Sequence, residues 1–151
     1  MKFNKCIDKV CCFYASDWHL TVMLMPYINR NVKENKIYME FENSIEDKFK
    51  TLLEKLDLKS KNEIKNIKWN YTVEEDEYCD KEKIFIVSGK ENFINEKNKS
   101  IENFYKNKNE KIKIVNCYQI NENEALSTII NRENYKKMLN TRGEFSIKKI
   151  I

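Results

Sequence analysis

Val10-Cys11-Cys12-Phe13-Tyr14 is a continuous apolar run, the pattern of a strand covered on both faces. Ala15-Ser16-Asp17 ends it, and Ser16 or Asp17 can cap a following helix by accepting a backbone N–H bond. Leu20, Met23, Leu24, Tyr27 and Ile28 then recur at helical spacing through Asn31, with Val22 and Met25 adding apolar surface on another side. Pro26 inside this helix removes one backbone bond and predicts a kink. Lys36 to Phe41 reads as a second strand, and Glu42-Asn43-Ser44 as a loop with a cap. From Ile45 to Ile64 the pattern predicts one long amphipathic helix bearing Phe49, Leu52, Leu53, Leu56 and Leu58. Ile67, Trp69, Tyr71 and Val73 alternate with polar residues, as in a half-exposed strand.

An acidic loop from Glu74 to Asp80 leads to a buried strand, Ile84-Phe85-Ile86-Val87, which stops at Ser88-Gly89. Phe93, Ile94, Ile101, Phe104 and Tyr105 suit a helix, and Lys111 to Tyr118 a strand. Ala125 to Leu139 reads as helical, broken near Asn131, with Gly143 suited to a position just past a helix end. Phe145, Ile147 and Ile150 suggest a last strand at an edge. Strands alternate with helices along most of the chain. That order predicts a single three-layer α/β domain spanning residues 1–151, with a mostly parallel central sheet of about five or six strands flanked by helices.

Composition adds limits. A chain of 151 residues is long enough to bury about 70% of its unfolded surface. Its 28 basic and 24 acidic side chains are interspersed, so a solvated surface is expected and a nucleic-acid partner is not. The start MKFNKCIDK is charged and lacks the apolar stretch of a leader peptide. No stretch approaches the ~20 apolar residues of a membrane span. The expectation is a cytoplasmic protein with no membrane partner, whose five cysteines stay reduced.

Several chemistries are excluded by missing residues. Glycine occurs only at positions 89 and 143, so neither a G-x-G-x-x-G turn nor a Walker phosphate loop can form. A G-x-S-x-G nucleophile elbow is impossible for the same reason. With one histidine, His19, paired-His metal sites are absent; Cys6, Cys11, Cys12 and His19 lack the spacing of a metal site, and neither metal nor cofactor is expected. Cys11 and Cys12 read as small core residues rather than activated nucleophiles, and no catalytic residue is assigned.

Ser16-Asp17-Trp18-His19 is the most unusual segment, lying at the carboxyl end of the first strand where the first helix opens. Open α/β sheets bind ligands at the carboxyl ends of their strands, where a helix N-terminus offers free N–H donors. Asn43, Ser88 and Tyr118 follow later strands at the same edge, so Ser16, Asp17, Trp18, His19, Asn43, Ser88 and Tyr118 form the expected ligand site. The alternative is that Asp17 only caps the helix while Trp18 and His19 pack on a neighbouring loop.

Val10 to Tyr14, the polar turn, the helix containing Pro26-Tyr27-Ile28, the strand Ile37-Tyr38-Met39 with Glu42-Asn43, and the late Cys117-Tyr118 strand together resemble the MEDS family of sensory domains. The stretch from Trp69 to Phe104 departs from the family pattern. The resemblance implies a RecA-like fold without its phosphate loop, and a sensing or regulatory role. The leading expectation is therefore a non-enzymatic sensory or regulatory domain that binds a small ligand or a regulatory protein in signalling or transcriptional control. The alternatives are a homodimeric interaction subunit built on the first helix's extra apolar surface, and a small enzyme using Asp17 and His19.

Overall fold

The computed structural model describes residues 7–70, 81–120 and 126–147. The element order is β1 (Ile7–Tyr14), α1 (Asp17–Asn31), β2 (Asn35–Phe41), α2 (Glu46–Lys55), α3 (Lys61–Lys65), β3 (Lys68–Trp69), β4 (Glu82–Ser88), α4 (Glu91–Tyr105), β5 (Ile112–Gln119), α5 (Leu126–Arg132), β6 (Lys137–Asn140) and β7 (Gly143–Ser146). The strands form one sheet in the order β3-β2-β4-β5-β1-β6-β7. Every neighbouring pair is parallel except β6 with β7. The expected three-layer α/β architecture is present, with seven strands rather than five or six.

Strand residues alternate in direction, and this splits the core into two layers. Val10, Cys12 and Tyr14 of β1 face a core shared with α1, α2 and α3, built on Leu24, Ile28, Phe49 and Leu53. Cys11 and Phe13 face the other layer with Ile94, Ile101 and Tyr105 of α4 and Ile129 of α5. The five predicted core positions of α1 are all buried; Met25 is buried with them, whereas Val22 is exposed. The helix runs on through Pro26 without interruption.

Two expectations about helices fail. The long helix from Ile45 to Ile64 is two helices, α2 and α3, separated by an extended residue at Leu56 (ψ 142°). Leu58 lies nine positions after Phe49, which at about 100° per residue places it on the opposite side of a continuous helix. Breaking the helix lets Phe49, Leu53, Leu56 and Leu58 all reach one core.

The helix expected through Leu139 stops at Arg132, and Lys137 to Asn140 instead form β6 beside β1. Asn134 adopts a left-handed conformation (φ 56°). Tyr135 N–H donates to Ile130 O at 3.0 Å and Asn134 N–H to Asn131 O at 3.3 Å, the paired bonds of a Schellman helix end. The terminating residue is therefore Asn134, not Gly143, which has φ 119° and opens β7 in the closing hairpin. The last strand does lie at an edge, as β7. Tyr71, Val73, the acidic loop, Ala125 and Ile150 lie outside the described residues. No helix among the described residues is long and apolar enough to cross a membrane.

Candidate functional site

Because β1, β2, β4 and β5 run parallel, their carboxyl ends share one edge of the sheet, and the residues expected to bind a ligand collect along it. The structure does not aim them into one space. Ser16 caps α1, its Oγ accepting the His19 N–H at 3.1 Å. The His19 ring bends back, and its Nδ1 accepts the Ala15 N–H at 2.8 Å. That nitrogen is thereby committed to a local turn. Trp18 and Asn43 are exposed.

Ser88 is buried and shares a hydrogen bond of 3.2 Å with the Tyr14 hydroxyl on the α1 side. Tyr118 belongs to the opposite layer, stacked on Phe13. The register explains the separation: Ser88 pairs with Cys117, so Tyr118, one residue further, points to the other face. Between β2 and β4 the edge is filled by Glu42, whose carboxylate accepts the Lys90 N–H at 2.7 Å. Gly89 makes this possible, since a Cβ there would stand 2.7 Å from both Glu42 Cβ and Phe93 Cδ1.

A cleft opens elsewhere, on the α4 side of the sheet, between α4 and the segment 133–136 that follows the α5 helix end. It comprises adjoining hollows of about 540 and 240 Å³ that share Lys9, Glu102, Glu133 and Tyr135. Its floor is a chain of buried polar side chains. Asn98 and Asn116 pair amide to amide, at 2.7 and 2.9 Å. Asn116 also donates to the Tyr135 hydroxyl at 2.8 Å, and the Tyr135 and Tyr118 hydroxyls lie 2.6 Å apart. Asn98 completes the chain by donating to Ile94 O at 2.8 Å. Lys9 and Glu102 form an ion pair at 2.5 Å across the opening.

Of the expected site only Tyr118 lines this cleft. Asn98, Asn116 and Tyr135 were missed, although a signal was present. Asn98 occupies a core position of the helical stripe Ile94, Asn98, Ile101, Tyr105, and Asn116 sits between two buried residues of a strand. A polar side chain at a core position needs a partner, so two such asparagines point to one another.

Burial controls the ionisation of these groups. It pushes the Tyr118 hydroxyl up to about 12, opposed by the bond from Tyr135 and reinforced by Glu133 and Glu91. Burial also raises Tyr135, with the Tyr118 charge adding to it. Cys11 is pushed up to about 12, first by burial and then by Cys12, and burial raises Cys117 well above a normal thiol. These thiols hold their protons at neutral pH and are poor nucleophiles. Cys11 and Cys12 face opposite layers, and among the described residues no cluster of three metal-ligating side chains occurs. Cys6 lies outside the described residues.

No family model, no curated protein and no solved structure matches this chain.

Proposed function

We propose that this chain is a non-enzymatic sensory or regulatory domain, and that its small-molecule ligand lies in the cleft between α4 and residues 133–136. One observation carries the reading: the cleft floor is a preformed amide–phenol network whose members are all at least nine-tenths buried. Ligand sites combine concave shape with a few placed polar groups, and this network supplies such groups from α4, β5 and the segment after α5. With Tyr118 ionising only near 12, the floor offers no acid or base matched to neutral pH, which favours binding over turnover. A sensory role is also what the resemblance to the MEDS family implies.

The test is a fragment screen on the full chain, read by NMR at the side-chain amides of Asn98 and Asn116. Saturable shifts at those amides from compounds recovered chemically unchanged support the reading. Conversion of a bound compound would make the protein an enzyme, and shifts clustering at Trp18 instead would return the site to the carboxyl edge.

A second reading, the homodimer, rests on Trp18 and Val22. They lie one turn apart on α1 with 47% and 49% of their surface exposed. Sedimentation at rising concentration tests it, and a monomer throughout would dismiss it.

A further inference from the structure

We infer that the cleft takes a small organic anion, a carboxylate or close analogue, whose oxygen accepts a hydrogen bond from the Tyr118–Tyr135 pair. The inference rests on the cleft being the ligand site. It follows from counting hydrogens along the floor.

Ile94 O can only accept, so the Asn98 atom 2.8 Å from it is the amide nitrogen. The second Asn98 hydrogen then goes to Asn116 Oδ1, and the facing Asn116 nitrogen donates to Asn98 Oδ1. The remaining Asn116 hydrogen goes to the Tyr135 oxygen. Both amides are now spent. The two phenols carry two hydroxyl hydrogens but share a single contact with each other. Whichever phenol donates in that contact, one hydroxyl hydrogen is left without an acceptor among the described residues. Both phenols line the cleft, and Tyr118 is only 4% exposed. That hydrogen can be taken only by what occupies the cleft, so the floor favours a ligand that presents an oxygen acceptor there.

The rim supplies the charge. Lys99, Lys106 and Lys136 line the two hollows, and among the described residues none of the three forms an ion pair. Of the acidic neighbours, Glu102 pairs with Lys9 and Asp8 with Lys137, while Glu133 shares Arg132 with Glu91. A hydrogen bond to an ionised acceptor is stronger than one to a neutral acceptor, so a carboxylate gains both from the phenol and from the unpaired cations.

The test compares benzoate with benzylamine and benzyl alcohol, and hexanoate with hexylamine and hexanol, by NMR at the Asn98 and Asn116 amides of the full chain. The carboxylates should shift those amides saturably and bind about tenfold or more tighter than the matched amines. In Tyr118→Phe or Tyr135→Phe one hydroxyl still has a hydrogen to give, whereas the double variant has none. The double should therefore lose about tenfold in carboxylate affinity, and each single less. An amine or alcohol that binds as well as its carboxylate overturns the inference, as does a double variant that binds like the wild type. The comparison of charges uses the wild-type chain and decides the matter even if the double variant fails to fold. Should none of these compounds reach the cleft while other fragments do, the anion inference fails and the binding reading stands. If no fragment of any charge reaches it, the binding reading itself fails.

Discussion

The two faces of the sheet are covered differently. Among the described residues three helices close the α1 side, where the interior is mostly hydrocarbon, aromatic rings and sulfur; buried hydroxyls there are partnered, Thr21 with Asp17 O, Tyr14 with Ser88 and Tyr27 with Glu144. The other side is covered, among the described residues, by α4 and α5. There an amide pair lies in the middle, Asn98 over Asn116, beside a cleft, and a buried Lys83–Glu110 ion pair sits against Tyr105 at the amino end of β4. The α1 side also has a hollow, of about 270 Å³ between α2, α3 and β3, but among the described residues no chain of buried polar side chains floors it. The cost of burying amides on the α4 side is offset by their mutual bonds. The α1 side thus carries the larger apolar core, and the α4 side pairs a cleft with placed polar groups.

Substitutions separate these roles. The largest effect belongs to the α1 side. Leu24 is fully buried at the centre of that core, so Leu24→Ala should cost about 2–5 kcal/mol in a urea unfolding series. An unchanged midpoint would show the α1 side to be loosely packed and dissolve the contrast.

On the α4 side the two tyrosines should differ. Tyr135→Phe strands an Asn116 amide hydrogen in the interior, at about 1–3 kcal/mol. Tyr118→Phe strands no amide, and the Tyr135 hydroxyl can turn toward the cleft, so its cost should be nearer 1 kcal/mol or below. Equal costs measured by the same unfolding series would refute the direction assigned to the chain.

Alkali probes the same network. Tyr118 and Cys11 both have folded-state values raised to about 12, from ordinary values of 10.0 and 9.0. A raised value means that the folded state holds the proton more tightly. This contribution is complete below the unfolded value and is lost as pH rises through the folded one. Stability should therefore decline from about pH 9 toward pH 12, by at most ~1.4 kcal/mol per pH unit for each such group. Thermal midpoints across that range check it, and the double variant Tyr118→Phe/Tyr135→Phe should show a shallower decline.

The smallest effect is expected outside both layers. Trp18 is 47% exposed, and Trp18→Ala should change stability by no more than about 0.5 kcal/mol. It should also leave cleft binding intact, as fragment affinities at the Asn98 amide would show. A loss of binding there would restore the carboxyl-edge site.

The sequence by itself determined the class of fold. Strand runs such as Val10 to Tyr14 and Ile84 to Val87, separated by amphipathic helices, leave few architectures other than a parallel sheet between two helical layers. It also determined the core stripe of α1 and narrowed its cap to Ser16 or Asp17, because both depend on residues within a turn or two of one another; the structure chose Ser16. Tertiary structure decided the rest. Lys137 to Asn140 became a strand because β1 offered an unpaired edge, which no local pattern reveals. Leu58 broke a helix because the core lay on the far side of it. The likeliest-looking ligand residues ended on opposite faces, since a one-residue step in register turns a side chain to the other side of a sheet. The cleft depends most on long-range contact: its floor joins residues from α4, β5 and the turn after α5, and a hydrogen left over in that chain exists only once all of them have met.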